Sequence, residues 1–162
     1  AEPDAFGSAL PKLGHAQRSG LRVHMEYQVN PKIRLRTRGE AVQSRRTGAE
    51  AEPGYLLYQD IRFTPGPKWK IDARATVFDT ESFDTRVYQF ENDLLYVLSN
   101  QMLFEQGQRF YLLVNYKPFS FMEIWGKFGI TIYEDRQVTG SGLNEIRGNK
   151  RSDIGVQMRI RI

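Results

Sequence analysis

From Leu21 onward, apolar and polar residues alternate along the chain. Val23, Met25, Tyr27 and Val29 interleave with His24, Glu26 and Gln28, the period-two signature of a strand with one apolar face. Ile33, Leu35 and Thr37 are set against Arg34, Arg36, Arg38 and Glu40. Tyr55, Leu57, Ile61 and Phe63 alternate with Tyr58, Asp60 and Arg62, and Trp69, Ile71, Ala73, Ala75 and Val77 with Lys70, Asp72, Arg74 and Thr76. Later, Phe110, Leu112, Val114 and Tyr116 alternate with Tyr111, Asn115 and Lys117. Ile124, Phe128, Ile130 and Ile132 then alternate with Glu123, Trp125, Lys127, Thr131 and Tyr133. Finally Ile154, Val156, Met158, Ile160 and Ile162 stand against Gln157, Arg159 and Arg161. The pattern predicts seven clear strands.

Breakers divide these runs. Short turns fall at Asn30–Lys32, Thr64–Pro67 and Lys117–Ser120, rich in Asn, Pro, Gly and Ser. Longer polar stretches near 46–54, 80–107 and 134–152 read as loops, and residues 1–20, with Pro3, Gly7, Pro11, Gly14 and Gly20 and no periodicity, as a loop or tail. Inside 80–107, Arg86 to Phe90 predict a strand, whereas Leu94 to Leu98 fit a strand or a short helix equally. The count is therefore about seven to nine strands.

The runs reach about ten to twelve residues, longer than the roughly five or six of a globular strand and close to the nine to eleven of a tilted membrane-spanning one. Their polar face carries full charges in series, so it must be wet. No amphipathic helix is available to cover the apolar face. An all-β antiparallel meander forming part of a transmembrane outer-membrane β-barrel, over residues 21–162, satisfies both faces and the backbone. Short and long connections alternate, as periplasmic turns and outer loops do. With an odd strand count, the expectation is the last part of a larger barrel, completed by strands from the same parent protein or another chain and bordered by outer-membrane lipid.

Composition changes this picture little. Charged residues make up 26% of the 162, and mean hydropathy is −0.53. No apolar run is long enough for a membrane-spanning helix, a test to which barrels are blind. There is no cysteine, which removes disulfides and thiolate metal sites. The net charge is +4, but Lys and Arg are interleaved with acids, so charged strand faces explain it better than nucleic-acid binding. The first residues lack the basic start and apolar core of a signal peptide.

The candidate lumen-lining residues are Glu26, Arg34, Arg36, Arg38, Glu40, Asp60, Lys70, Asp72, Arg74, Arg159 and Arg161. Such rows either bias a channel toward anions or pair with neighbouring acids to brace a plugged interior, and the acids nearby favour bracing. Tyr55, Phe63, Trp69, Tyr116, Phe121 and Tyr133, close to strand ends, are candidates for interfacial girdles. The block Phe90-Glu91-Asn92-Asp93 reads either as a pore cap or as a plain turn. No catalytic, cofactor or metal site is expected. His15 and His24 are separated, Glu81/Asp84 and Glu134/Asp135 are loop acids, Gly140-Ser141-Gly142 is too short for a phosphate loop, and no Gly-x-Ser-x-Gly elbow occurs.

Three stretches carry a family resemblance: Phe78-Asp79-Thr80-Glu81-Ser82-Phe83-Asp84-Thr85-Arg86-Val87-Tyr88 with Phe90-Glu91-Asn92-Asp93-Leu94-Leu95-Tyr96; Gly54-Tyr55-Leu56-Leu57-Tyr58-Gln59-Asp60; and Gly140-Ser141-Gly142-Leu143-Asn144-Glu145-Ile146-Arg147-Gly148-Asn149. Over residues 21–162 the chain resembles the C-terminal β-rich region of Bacteroidota helix-hairpin-helix domain-containing proteins. That resemblance implies a porin-like outer-membrane barrel with a transport, scaffold or complex-subunit role. The helix-hairpin-helix motif itself is not in this sequence, so DNA contact is not carried over. The alternative is a soluble β-barrel that holds a small ligand or a protein partner, with its apolar face turned inward.

Overall fold

The computed structural model describes residues 16–140 and 145–161. Every regular element among them is a strand, apart from one 3-10 turn at Phe83–Thr85. The strands are β1 (Ala16–Asn30), β2 (Ile33–Arg46), β3 (Ala51–Gly66), β4 (Trp69–Thr80), β5 (Val87–Glu91), β6 (Ser99–Leu103), β7 (Glu105–Phe119), β8 (Met122–Tyr133), β9 (Val138–Thr139), β10 (Ile146–Arg147) and β11 (Lys150–Ile160). Seven of them form one antiparallel meander in the order β1-β2-β3-β4-β7-β8-β11. β5 with β6, and β9 with β10, form separate hairpins.

The register places every second residue on the same face across the whole sheet. The row Leu35–Ile61–Ala73–Leu112–Phe128–Ile154 runs from β2 to β11 through successive pairings, as does the neighbouring row Arg36–Asp60–Arg74–Tyr111–Gly129–Asp153. One face is thus apolar and the other charged, as period two requires.

The strands extend further than the alternation suggested. β1 already begins at Ala16, so residues 16–20 are strand and not tail; the remainder of that tail, His15 included, lies outside the described residues, as do Ser141, Gly142 and Ile162. The first outer connection shrinks to 47–50, the second to 81–104, and β11 starts at Lys150. Paired strands absorb these residues because backbone hydrogen bonding does not need an apolar side chain.

The three short turns share one construction. β1, β3 and β7 each shift register just before the turn, between Gln28 and Asn30, Phe63 and Gly66, and Tyr116 and Phe119. Two-residue connections follow at 31–32, 67–68 and 120–121. Such bulges bend a strand and sharpen its twist. Pro31 and Pro67 fix the first turn position. Asn30 accepts hydrogen bonds at Oδ1 from the backbone N–H groups of Lys32 (2.8 Å) and Ile33 (3.0 Å).

Residues 94–98 are neither strand nor helix but the turn of the β5–β6 hairpin, with Tyr96 in the left-handed region at φ 67°. This hairpin folds back across the charged face of the sheet. Thr85 comes so close to β3 that a Cβ on Gly54 would stand 2.6 Å from its carbonyl oxygen. Leu94 rests on Gly155 of β11, where a Cβ would meet its Cδ1 at 2.8 Å. The charged face is therefore covered over its central strands, open along β1, and the apolar face is bare.

Candidate functional site

The charged face, with the hairpin laid over it, is where the side-chain chemistry collects. All eleven charged residues predicted to line a lumen lie on this one face, and each has an ionic partner. Glu26 takes Arg34 (3.0 Å) and Arg36 (3.2 Å), and Arg36 also approaches Asp60 at 3.9 Å. Glu40 pairs with Arg22, in a two-bond fork at 3.0 Å each, and with Arg38. Asp72 takes Arg62 (2.5 Å) and Lys70 (3.9 Å). Arg159 pairs with Glu123, and Arg161 reaches the same carboxylate at 4.0 Å.

Among the predicted residues, Arg74 has the most deeply buried side chain, and it pairs with Asp60. Nε and Nη2 donate to the two carboxylate oxygens at 2.5 and 2.8 Å, and Nη1 donates to the carbonyl of Phe90 at 2.7 Å. The guanidinium lies 3.8 Å from the centre of the Tyr58 ring. A fork of this kind fixes orientation as well as charge, so Arg74 ties β4 to β3 and both to the hairpin.

Sequence reasoning missed the centre of the site. Glu91 of the hairpin is 0% exposed and accepts from Arg109 Nε and Nη2 at 2.6 and 2.9 Å. Lys127 stands 3.3 Å from Glu91 and donates to Asp93 at 2.6 Å. Arg109, itself 2% exposed, also donates to Thr131 (2.9 Å) and Asp153 (3.3 Å). Gln89, fully buried, accepts from Thr76 and donates to Glu91, at 2.9 Å each. The hairpin thus brings two carboxylates to a wall presenting Arg109 and Lys127. Asn92 and Asp93 do lie where the chain leaves β5, but the Phe90–Asp93 block also docks into the sheet.

A signal for this was present. In Val87-Tyr88-Gln89-Phe90-Glu91 the alternation is legible, yet the polar residues face the sheet and the aromatics face away. Local periodicity carries no information about which wall a five-residue strand will meet.

The aromatics divide. Trp69 stacks on Tyr116 with ring centres 4.0 Å apart, and Phe119 on Phe121 at 5.4 Å, near the short-turn end of the sheet. Phe63 lies on the bare face at the same end, and Tyr55 on that face at the opposite end. Tyr133 is a correction to the girdle prediction. It is buried on the covered face, edge-on to Phe78 at 5.9 Å, in a cluster with Val42, Leu56, Tyr58, Val87 and Leu103. Its parity with Trp125 and Lys127 puts it there, and proximity to a strand end does not outweigh parity.

Beyond the sheet, Arg136 in the loop after β8 lies over the ring of Tyr133 at 3.9 Å, and hydrogen bonds to Glu105 hold its guanidinium above the ordinary arginine value. Among the described residues, no group of three or more His, Asp or Glu side chains is arranged to hold a metal ion. His24 sits exposed on β1, opposite Arg38 in the register. The charges of the covered face hold one another, an arrangement that fastens two layers together. No family model, no curated protein and no solved structure matches this chain.

Proposed function

We propose that this chain is part of an outer-membrane β-barrel whose interior is braced and filled by the β5–β6 hairpin, serving as a scaffold or complex subunit rather than as an open channel or an enzyme. The observation that carries the reading is the inversion of the sheet. Leu21, Ile154 and Val156 are 70%, 77% and 75% exposed, while Arg109 and Lys127 on the other face are buried. Exposed apolar residues are ordinary when scattered; a face of them spanning seven strands is a large contiguous patch that calls for a covering. Lipid covers such a face without further protein. The stacked aromatics at the short-turn end suit the boundary between hydrocarbon and headgroups. A ligand-binding soluble barrel would present the opposite arrangement, with apolar side chains inside.

The edges support the same reading. β1 and β11 are the outermost strands of the described sheet, and both run from the long-loop end to the short-turn end. Two edges of the same sense cannot pair antiparallel with each other, so antiparallel closure takes an odd number of additional strands. An exposed edge of fifteen residues is a template for pairing. The resemblance to the β-rich region of helix-hairpin-helix domain-containing proteins points to the same membrane setting. The pairing of every predicted lumen residue favours a braced interior over a selective pore.

Fractionation tests the proposal. The gene product should sediment with outer membranes and stay there through sodium carbonate extraction. Release as a soluble, folded β-protein would contradict it.

A further inference from the structure

The β5–β6 hairpin has a second face, and that face is mainly apolar. Along β5, Val87, Gln89 and Glu91 are buried against the sheet, while Tyr88 and Phe90 are exposed. Along β6, Ser99 and Leu103 are buried, while Met102 and the one polar residue of this face, Asn100, are exposed. At the tip, Tyr96 is 90% and Leu98 81% exposed. Tyr96 also holds a left-handed backbone, which costs a non-glycine residue energy that the surroundings must offset. The hairpin therefore buries Gln89, Glu91 and Ser99 together with Val87 and Leu103, and leaves its aromatic side chains bare.

Its position defines the margins that any covering of that bare side would span. The segment spans the sheet from edge to edge. Arg18 of β1 donates to the carbonyl of Arg86, Arg38 of β2 to that of Tyr88, and Arg74 of β4 to that of Phe90. Glu91 meets Arg109 of β7 and Lys127 of β8, and Leu94 meets Gly155 of β11. In a closed barrel, strands joining the β11 edge to the β1 edge would bridge the same two margins on the far side of the hairpin.

We infer that the Tyr88, Phe90, Met102, Tyr96 and Leu98 face of the hairpin docks on the inner wall of the strands that close the barrel, and that this wall is apolar where it meets the hairpin, unlike the charged wall described above. The partner is thus an antiparallel wall of odd strand number, from outside residues 16–161, with apolar residues on both faces at the level of the hairpin. The hairpin is then a filling between two unlike walls, salt-bridged to one and packed on the other. This inference rests on the barrel reading. A second copy of the chain is a poor occupant in a membrane. Copies inserted in the same orientation would bring β11 and β1 together in parallel, and an inverted copy would put the long loops on the wrong side.

The chain has no cysteine, so single thiols report cleanly. In the full gene product in outer membranes, Y96C, L98C and M102C are treated with a small, charged, water-soluble thiol reagent, with S120C in the exposed turn as reference. All three positions are already exposed on the sheet-distal side, so substitution leaves the buried salt bridges intact. Docking predicts reaction about tenfold slower than at S120C, or slower still. A benzophenone maleimide placed at Tyr96→Cys should then cross-link to a peptide outside residues 16–161. Reaction as fast as at S120C, or cross-links confined to residues 16–161 or to a second copy, would overturn the inference. A lipid-phase thiol reagent at V156C separates the two claims. Labelling there with fast aqueous reaction at Y96C keeps the barrel and removes the docking, whereas no lipid-phase labelling at V156C removes the barrel reading itself.

Discussion

Glu91 has the most to lose by substitution. It is fully buried between Arg109 and Lys127, so neutralising it leaves Arg109 with only the half-exposed Asp153 as an ionic partner and Lys127 with only Asp93. Removing one partner of a buried ion pair costs about 3–5 kcal/mol. Glu91→Gln should therefore lower the urea midpoint of the protein in detergent micelles by a corresponding amount. Arg22→Ala, at a pair whose arginine side chain is 57% exposed, should stay within about 1 kcal/mol of wild type. Equal effects at the two sites would mean that the covered face is wetter than described. At this scale the sequence was informative about sidedness and silent about depth. Parity alone put Arg34, Arg36, Arg38, Asp60 and Arg74 on one face, because a strand leaves no choice. Nothing local showed that Arg109 and Lys127 would meet Glu91, because that contact spans eighteen residues in one case and thirty-six in the other, by way of a hairpin that local pattern does not place.

The hairpin is the element that covers the charged face, and Gly54 is where the turn leading into it lies tight against β3. A methyl group there meets the Thr85 carbonyl at 2.6 Å and Val42 Cγ2 at 3.0 Å, and the backbone cannot yield as a flexible side chain can. Gly54→Ala should push residues 83–86 outward and speed tryptic cleavage at Arg86, read by mass spectrometry under native conditions; an unchanged cleavage rate would show that the strand relaxes instead. Replacing residues 82–103 with a short Gly-Ser link should raise single-channel conductance in planar bilayers several-fold, since the braced filling is gone. Unaltered conductance would argue against a plug. Among the elements, the seven long strands were readable because alternation persists over many residues. The boundaries were not, because Ala16 to Gly20 and Ala51 to Gly54 pair through backbone groups that any sequence possesses. The register shifts at Gln28, Phe63 and Tyr116 were hidden for the same reason, since a bulge adds a residue without marking it.

At the scale of the molecule, what matters is which side of the sheet is dry. A charged face closed by its own hairpin and an apolar face left bare form an inside-out protein in water and an ordinary one in lipid. The most direct measurement is a nitroxide scan along β11, residues 152–160, in the membrane-inserted gene product, comparing collisions with oxygen and with a water-soluble nickel chelate. A lipid-facing apolar side gives oxygen maxima at Ile154, Val156, Met158 and Ile160, with minima at Gly155, Gln157 and Arg159. Maxima of the nickel chelate at those same apolar positions would place water on the bare face and contradict the membrane reading.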